Sequence, residues 1–210
     1  MFSTTRTQEQ SNLANWAAMT SPVNLWNPVA VQVIAGQSRS LTENARIFAL
    51  LNMAMCDGSI ATFEAKYFYH FWRPVTAIHA GDLDGNPRTD PNQSFMSFLP
   101  SPPYPAAYPS GHGGLSNAGS SMLERLLGRG RQPITLSNPA LPGFTLNYTR
   151  LRQITDDIAD ARLFAGIHFR FDQDAAEVLG REVAHYLYTH YLRCARPGRC
   201  GDSENYEAEE

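Results

Sequence analysis

Apolar residues recur at Ile47, Leu50, Leu51, Ala54, Ala61 and Ala65, close to the spacing of one helix face, within 31 residues from Thr42 to Trp72 that hold no proline. The pattern predicts one long helix, or two broken near Gly58. Thr42 or Ser40 is placed to cap its start, and Pro74 biases Arg73 away from helical geometry, which sets its end. Residues 75–111 are rich in proline and poor in periodic apolar positions, so they read as a long surface connection. A second helix is expected from His112 to Leu127, between the Pro109-Ser110-Gly111 turn and Gly128. A third runs from Arg150 to Ala165 and stops at Gly166. The fourth, Asp172 to Arg193, has Ala176, Val178, Leu179, Val183, Tyr186 and Leu187 in helical register. Gln8 to Ala18 and Pro28 to Ala35 add two shorter helices. With no competing strand pattern and no internal repeat, the fold class is all-α, a helical bundle.

A chain of 210 residues, 43% of them hydrophobic, is long enough to bury one sizeable core. One helical-bundle domain is expected over residues 1–193, followed by a polar, acidic and mobile tail over 194–210. Seventeen basic side chains against 20 acidic ones leave a formal charge of -3, which gives no global field for nucleic acid or an anionic membrane. Any functional positive charge is local. The longest apolar stretches fall short of the roughly 20 residues that span a bilayer, and the amino terminus has no apolar leader, so no membrane span and no signal peptide are visible and a soluble chain is expected. The sequence leaves the compartment open. Cys56, Cys194 and Cys200 are too few for a disulfide framework; the last two are placed either to pair or to stay free.

Three local patterns carry chemistry. Lys66 and Arg73 are seven apart, about 700 degrees of rotation on a helix, which puts both on nearly one face where they can converge on an anion or simply stand solvated. Pro109, Ser110, Gly111 and His112 sit where loop becomes helix, and the first helical turn offers unpaired N–H groups and the positive end of the dipole. Ser110 either adds a hydroxyl donor or only caps the helix; Gly111 permits close approach of a ligand; His112 can act as acid or base. Arg162 and His168 are brought together if Gly166 ends the intervening helix. Asp172, four residues beyond His168, is spaced to accept one ring N–H and fix the tautomer of the imidazole.

Taken in order, Lys-x6-Arg-Pro, then Pro-Ser-Gly-His, then Arg-x5-His-x3-Asp resemble the signature shared by vanadium-dependent haloperoxidases, class A acid phosphatases and type 2 phosphatidic acid phosphatases. The segments Phe71 to Ile78, Tyr108 to His112 and Gly166 to Asp172 look most like the haloperoxidase branch. The resemblance implies that Lys66, Arg73, Ser110, the Gly111 backbone N–H and Arg162 hold the oxygens of vanadate, with phosphate or sulfate able to take its place. It implies His168 as the ligand of vanadium, or as nucleophile toward phosphorus. It also implies His112 as the acid-base residue and Asp172 as the group that orients His168. Two departures are visible. Ala161 stands where the third motif commonly has serine, and Pro105 stands where chloroperoxidase-like sequences carry an aromatic residue.

The function so implied is a vanadate-dependent peroxidase that oxidises bromide, chloride or an organic sulfide with hydrogen peroxide. The alternative is a soluble acid phosphatase that cleaves a phosphomonoester through a phosphohistidine. A non-catalytic anion-binding module is a third reading, and a homo-oligomer is possible in each case. Asp82, Asp84 and Asn86 around Gly85 resemble a calcium loop, but the glycine comes one position early and no closing glutamate follows, so a surface turn is expected. His185 and His190 lack the spacing of a zinc site.

Overall fold

The computed structural model describes residues 5–99 and 106–193. The chain folds into helices α1 (Gln8–Met19), α2 (Pro22–Ile34), α3 (Leu41–Tyr69), α4 (Pro74–His79), α5 (Gly111–Leu127), α6 (Leu151–Phe164) and α7 (Arg170–His190), with strands β1 (Ile134–Ser137) and β2 (Thr145–Tyr148) between α5 and α6. Side-chain caps set several starts. Thr7 accepts from the Gln10 backbone while the Gln10 side chain accepts from the Thr7 N–H, and Ser40 and Glu43 form the same reciprocal pair at α3. Ser40 rather than Thr42 is therefore the cap. α2 opens on Ser21 with Pro22 at its first position, six residues earlier than the expected start at Pro28, which lies inside the helix.

Helix α5 is the centre of the bundle, packed against α3 on one side and α7 on the other, with α6 and α2 completing its surround. Small residues permit this closeness. A Cβ at Gly180 of α7 would lie 2.6 Å from the Ala118 backbone nitrogen, and one at Gly114 of α5 would collide with the Thr62 hydroxyl of α3. Gly58 causes no break, because it lets α3 run past Ala118, whose Cβ would sit 3.0 Å from an added methyl. Around this seam Trp26, Leu50, Leu51, Met122, Leu123 and Ile154 are fully buried and form the main core.

Three expectations are corrected. α3 ends at Tyr69, where His70 takes a left-handed conformation (φ 47°) as C-cap, rather than running on to Trp72. Lys66 and Arg73 therefore do not share a helix face. Within the expected connection, Pro74 does not merely stop a helix. It occupies the first position of α4, with Arg73 as N-cap, a role for which its fixed φ suits it. Residues 134–148 also contain an antiparallel hairpin with Ile134 opposite Tyr148 and Ser137 opposite Thr145. The alternation that buries Ile134 and Leu136 spans only four residues, too short to stand out in the sequence. The expected tail and the Cys194–Cys200 question lie outside the described residues, while Cys56 is a free, exposed thiol.

The last half of α3 leaves an apolar face uncovered. Ile60, Phe63, Tyr67, Phe68 and Tyr69 are exposed, and further large rings, Phe71 and Phe171, continue the surface. No described helix is long and apolar enough to cross a membrane.

Candidate active site

The loop before α5 and the start of α7 are tied together, since the Ser110 N–H donates to the Asp172 carbonyl at 2.9 Å. Ser110 is fully buried, and its hydroxyl oxygen accepts from the Gly113 N–H at 3.2 Å, which leaves its O–H available to donate. So Ser110 is both helix cap and available donor. Gly111 follows directly over Lys66, whose Cε would lie 3.9 Å from an added Cβ.

Lys66 is 2% exposed near the end of α3, and its ammonium donates to the carbonyls of Ala106 (2.7 Å) and Ala107 (2.9 Å). Among the described residues these two carbonyls leave one N–H of the three for another acceptor. Burial, with the Arg73 charge beside it, pulls this ammonium down to about 7. Arg73 reaches the same region from the loop between α3 and α4, where its Nη1 donates to the Ile167 carbonyl at 2.7 Å and to His168 Nε2 at 2.9 Å. The two cations meet because the chain turns at His70.

Gly166, with φ +72°, ends α6 as a glycine can, and the Ile167 N–H donates back to the Arg162 carbonyl. The chain then redirects His168 toward Arg162. His168 Nδ1 lies 2.8 Å from Asp172 Oδ2, a carboxylate with no exposed surface, and the same oxygen accepts the Phe169 N–H at 3.0 Å. The carboxylate fixes the proton on Nδ1. Nε2 is left with its lone pair, now met by the Arg73 guanidinium. Burial, then the charges of Arg73, Lys66 and Arg162, hold the His168 imidazolium far below its ordinary range, so the ring is neutral. Burial pushes Asp172 up to about 6, against the opposing pull of the Phe169 N–H, Lys66 and Arg73.

Arg162 is 3% exposed, yet among the described residues its Nε and Nη1 have no hydrogen-bond partner. Buried guanidinium donors without partners cost stability unless a ligand accepts from them. His112, in the first turn of α5, is partly exposed and held down to about 3 by burial, then by the Arg162 charge and His168. A small upward pull comes from the backbone of Ala17 on α1. The fold thus brings Lys66, Arg73, Ser110, Gly111, His112, Arg162, His168 and Asp172 into one neighbourhood, with three basic side chains and two neutral imidazoles. An anion carrying several oxygens fits that donor set.

The carbonyls of Ala106, Ala107 and Ile167 and the N–H of Phe169 are contacts to the candidate residues that the sequence reading missed. Backbone groups leave no mark on residue type, so only the last had a signal: Asp172 occupies the third position of α7, where acidic side chains cap. Asp82 to Asn86 form an exposed turn in which Asp84 accepts from the Asn86 N–H, and His185 and His190 are exposed on α7. No group that could hold a metal ion through His, Cys, Asp and Glu alone occurs among the described residues.

Residues 46–197 match the family model described as the VCPO second helical-bundle domain. The chain belongs to that family. Within the family's wider set it is similar to the vanadium chloroperoxidase of Curvularia inaequalis, 28% identical over 180 residues, an alignment that takes in 63% of this chain and 28% of that protein. Among solved structures, the first bacterial vanadium-dependent iodoperoxidase superposes with a TM-score of 0.73 at 21% identity, over 87% of this chain and 44% of that one. An apo-type bacterial vanadium-dependent chloroperoxidase superposes with a TM-score of 0.61 at 19% identity, over 85% of this chain and 47% of its own. At that identity the two structures bear on the fold, and the chain spans less than half the length of either. The all-α vanadium-haloperoxidase bundle expected from the sequence is the observed architecture, extended by the small hairpin.

Proposed function

We propose that this chain is the catalytic bundle of a vanadate-dependent peroxidase, with residues 1–193 as one domain, that oxidises a halide, bromide or chloride, or an organic sulfide with hydrogen peroxide. The observation that carries the reading is Arg162. Among the described residues two of its buried donors lack a partner, its charge acts on His112 and His168 and is itself felt beside Arg73, and a tetrahedral oxyanion would supply the acceptors they lack.

Vanadate, when bound, supplies an electrophilic centre at which hydrogen peroxide is activated. Lys66, Arg73, Ser110, the Gly111 N–H and Arg162 would hold its oxygens, and His168 would ligate the metal through Nε2. Asp172 keeps the His168 proton on Nδ1, so that Nε2 offers a lone pair at every pH where the carboxylate is charged. Arg73 currently donates to Nε2 and would transfer that donation to a ligand oxygen as the ring engages. Held down to about 3 by burial and by the Arg162 charge, His112 is a neutral base near pH 7. An anion offsets the field of Arg162, raises the affinity of His112 for protons, and so prepares it to take a proton from peroxide and return it to a leaving oxygen.

A phosphomonoesterase is the second reading, favoured by the same neutral Nε2, which would attack phosphorus while His112 protonates the leaving oxygen. The two are separated by assaying the purified chain, with and without orthovanadate, for bromide oxidation and for p-nitrophenyl phosphate hydrolysis. The peroxidase reading expects bromide oxidation that depends on both vanadate and peroxide, with ester hydrolysis that vanadate inhibits. Ester hydrolysis without any vanadate-dependent bromide oxidation overturns it in favour of the phosphatase.

A further inference from the structure

A second cleft lies outside the candidate active site, between the carboxyl-terminal half of α5, the Gly128–Gly130 turn, β1, the start of α6 and the middle of α7. It holds a volume of about 300 Å³, enough for a small organic molecule. Its lining is charged and unevenly so. Arg129, Arg150, Arg152 and Arg181 face it together with only two carboxylates, Glu124 and Glu177. Arg129 pairs with Glu124 at 3.4 Å, while Arg152 (3.4 Å) and Arg181 (3.7 Å) share Glu177. Arg150 has no carboxylate at ion-pair distance among the described residues.

The floor of the cleft carries a second, independent sign. Ser120 is 4% exposed and Ser121 8% exposed, both line the cavity, and neither hydroxyl has a hydrogen-bond partner among the described residues. Hydroxyls that open onto a cavity can donate to whatever occupies it. The adjoining lobe, across Thr155 and Glu177, is on balance acidic, with Asp156, Asp160 and Asp174 against Arg170, which pairs with Asp160 at 2.7 Å. Asp156 also lies 3.8 Å from Arg152. Of the two lobes, the arginine-lined one has the positive charge that favours an anion.

We propose that this cleft is a binding site for a small organic anion, one that presents carboxylate or phosphate oxygens to Arg150 and Arg181 and accepts from Ser120 and Ser121. Guanidinium forks match the paired oxygens of both groups, and the hydroxyls above α5 supply the short-range donors. The site is separate in the fold from the His168 pocket: no residue placed there lines this cleft.

The test is an amide NMR titration of the full chain with citrate and, in a separate arm, with inorganic phosphate, on the parent and on two variants. Arg150 and Arg181 are exposed, so Arg150→Gln/Arg181→Gln should leave the fold intact, whereas Arg162→Gln disables the other pocket. Saturable shifts at residues 128–130 and 150–155 are expected from at least one of the two ions. The double variant should weaken that binding by about tenfold or more, and Arg162→Gln should leave it unchanged. Citrate binding alone assigns the site to carboxylates, phosphate binding alone to phosphates. The proposal is overturned if neither ion gives saturable shifts at millimolar concentration in the parent. It is equally overturned if the shifts survive the double variant or vanish with Arg162→Gln.

Discussion

Lys66 is the residue at which the charge of the pocket becomes sensitive to pH. Burial pulls its ammonium down to about 7, and a bound anion favours the charged form. Binding above pH 7 must therefore take up a proton, and affinity falls as pH rises through that range, by up to about tenfold per unit. Sulfate, whose own charge is constant there, is the suitable probe: its dissociation constant should climb above pH 7, and Lys66→Met should bind weakly with the slope gone. An unchanged slope in the variant would assign the titration elsewhere. His112 should respond in the same sense to a bound anion. Held down to about 3 without an anion, it should move upward in an imidazole NMR titration once orthovanadate is added. In His112→Ala vanadate should still bind while turnover drops roughly 100- to 10,000-fold, the usual cost of losing a general acid or base.

Elements place these residues, and the structure shows which of them the sequence made legible. The start of α5 and the end of α6 were readable because Ser110, Gly111 and Gly166 are residues with a fixed local meaning at helix ends. The route from Lys66 to Arg73 was not. The left-handed turn falls on His70, which nothing in the local pattern marks, and Pro74 reads equally as the end of one helix or the first position of the next. Both residues were found as candidates and brought together by a different geometry from the one the spacing suggested. Asp172 joins the start of α7 to His168, so Asp172→Asn should cost anion affinity or activity about 10- to 100-fold while leaving the helix formed, which circular dichroism would verify. The seam between α5 and α7 offers a packing test. Gly180→Ala places a methyl 2.6 Å from the Ala118 nitrogen, and backbone cannot move aside as a side chain can. Urea unfolding should find it less stable by at least the roughly 1–3 kcal/mol typical of overpacking.

At the scale of the whole molecule, the periodic apolar pattern was enough to read a bundle, because each long helix has an apolar face that is buried mainly against other helices. The hairpin escaped notice, as four-residue strands carry too few alternations to register. The uncovered rings of α3 from Phe63 to Tyr69 belong to this scale too, and they predict concentration-dependent self-association that Phe68→Glu should reduce in sedimentation experiments. A ligand that binds only the folded chain stabilises it as a whole. Orthovanadate at about 100 times its dissociation constant should add about 2.7 kcal/mol. The measurement that bears most directly on the account is peroxide-dependent bromide oxidation by the parent and His168→Ala, each with vanadate occupancy read in parallel from this thermal shift. The parent should gain both the shift and the activity when orthovanadate is added, and His168→Ala, still folded, should lose the activity and most of the shift. Bromide oxidation that is absent from the vanadate-loaded parent, or equal in the two proteins, would contradict it.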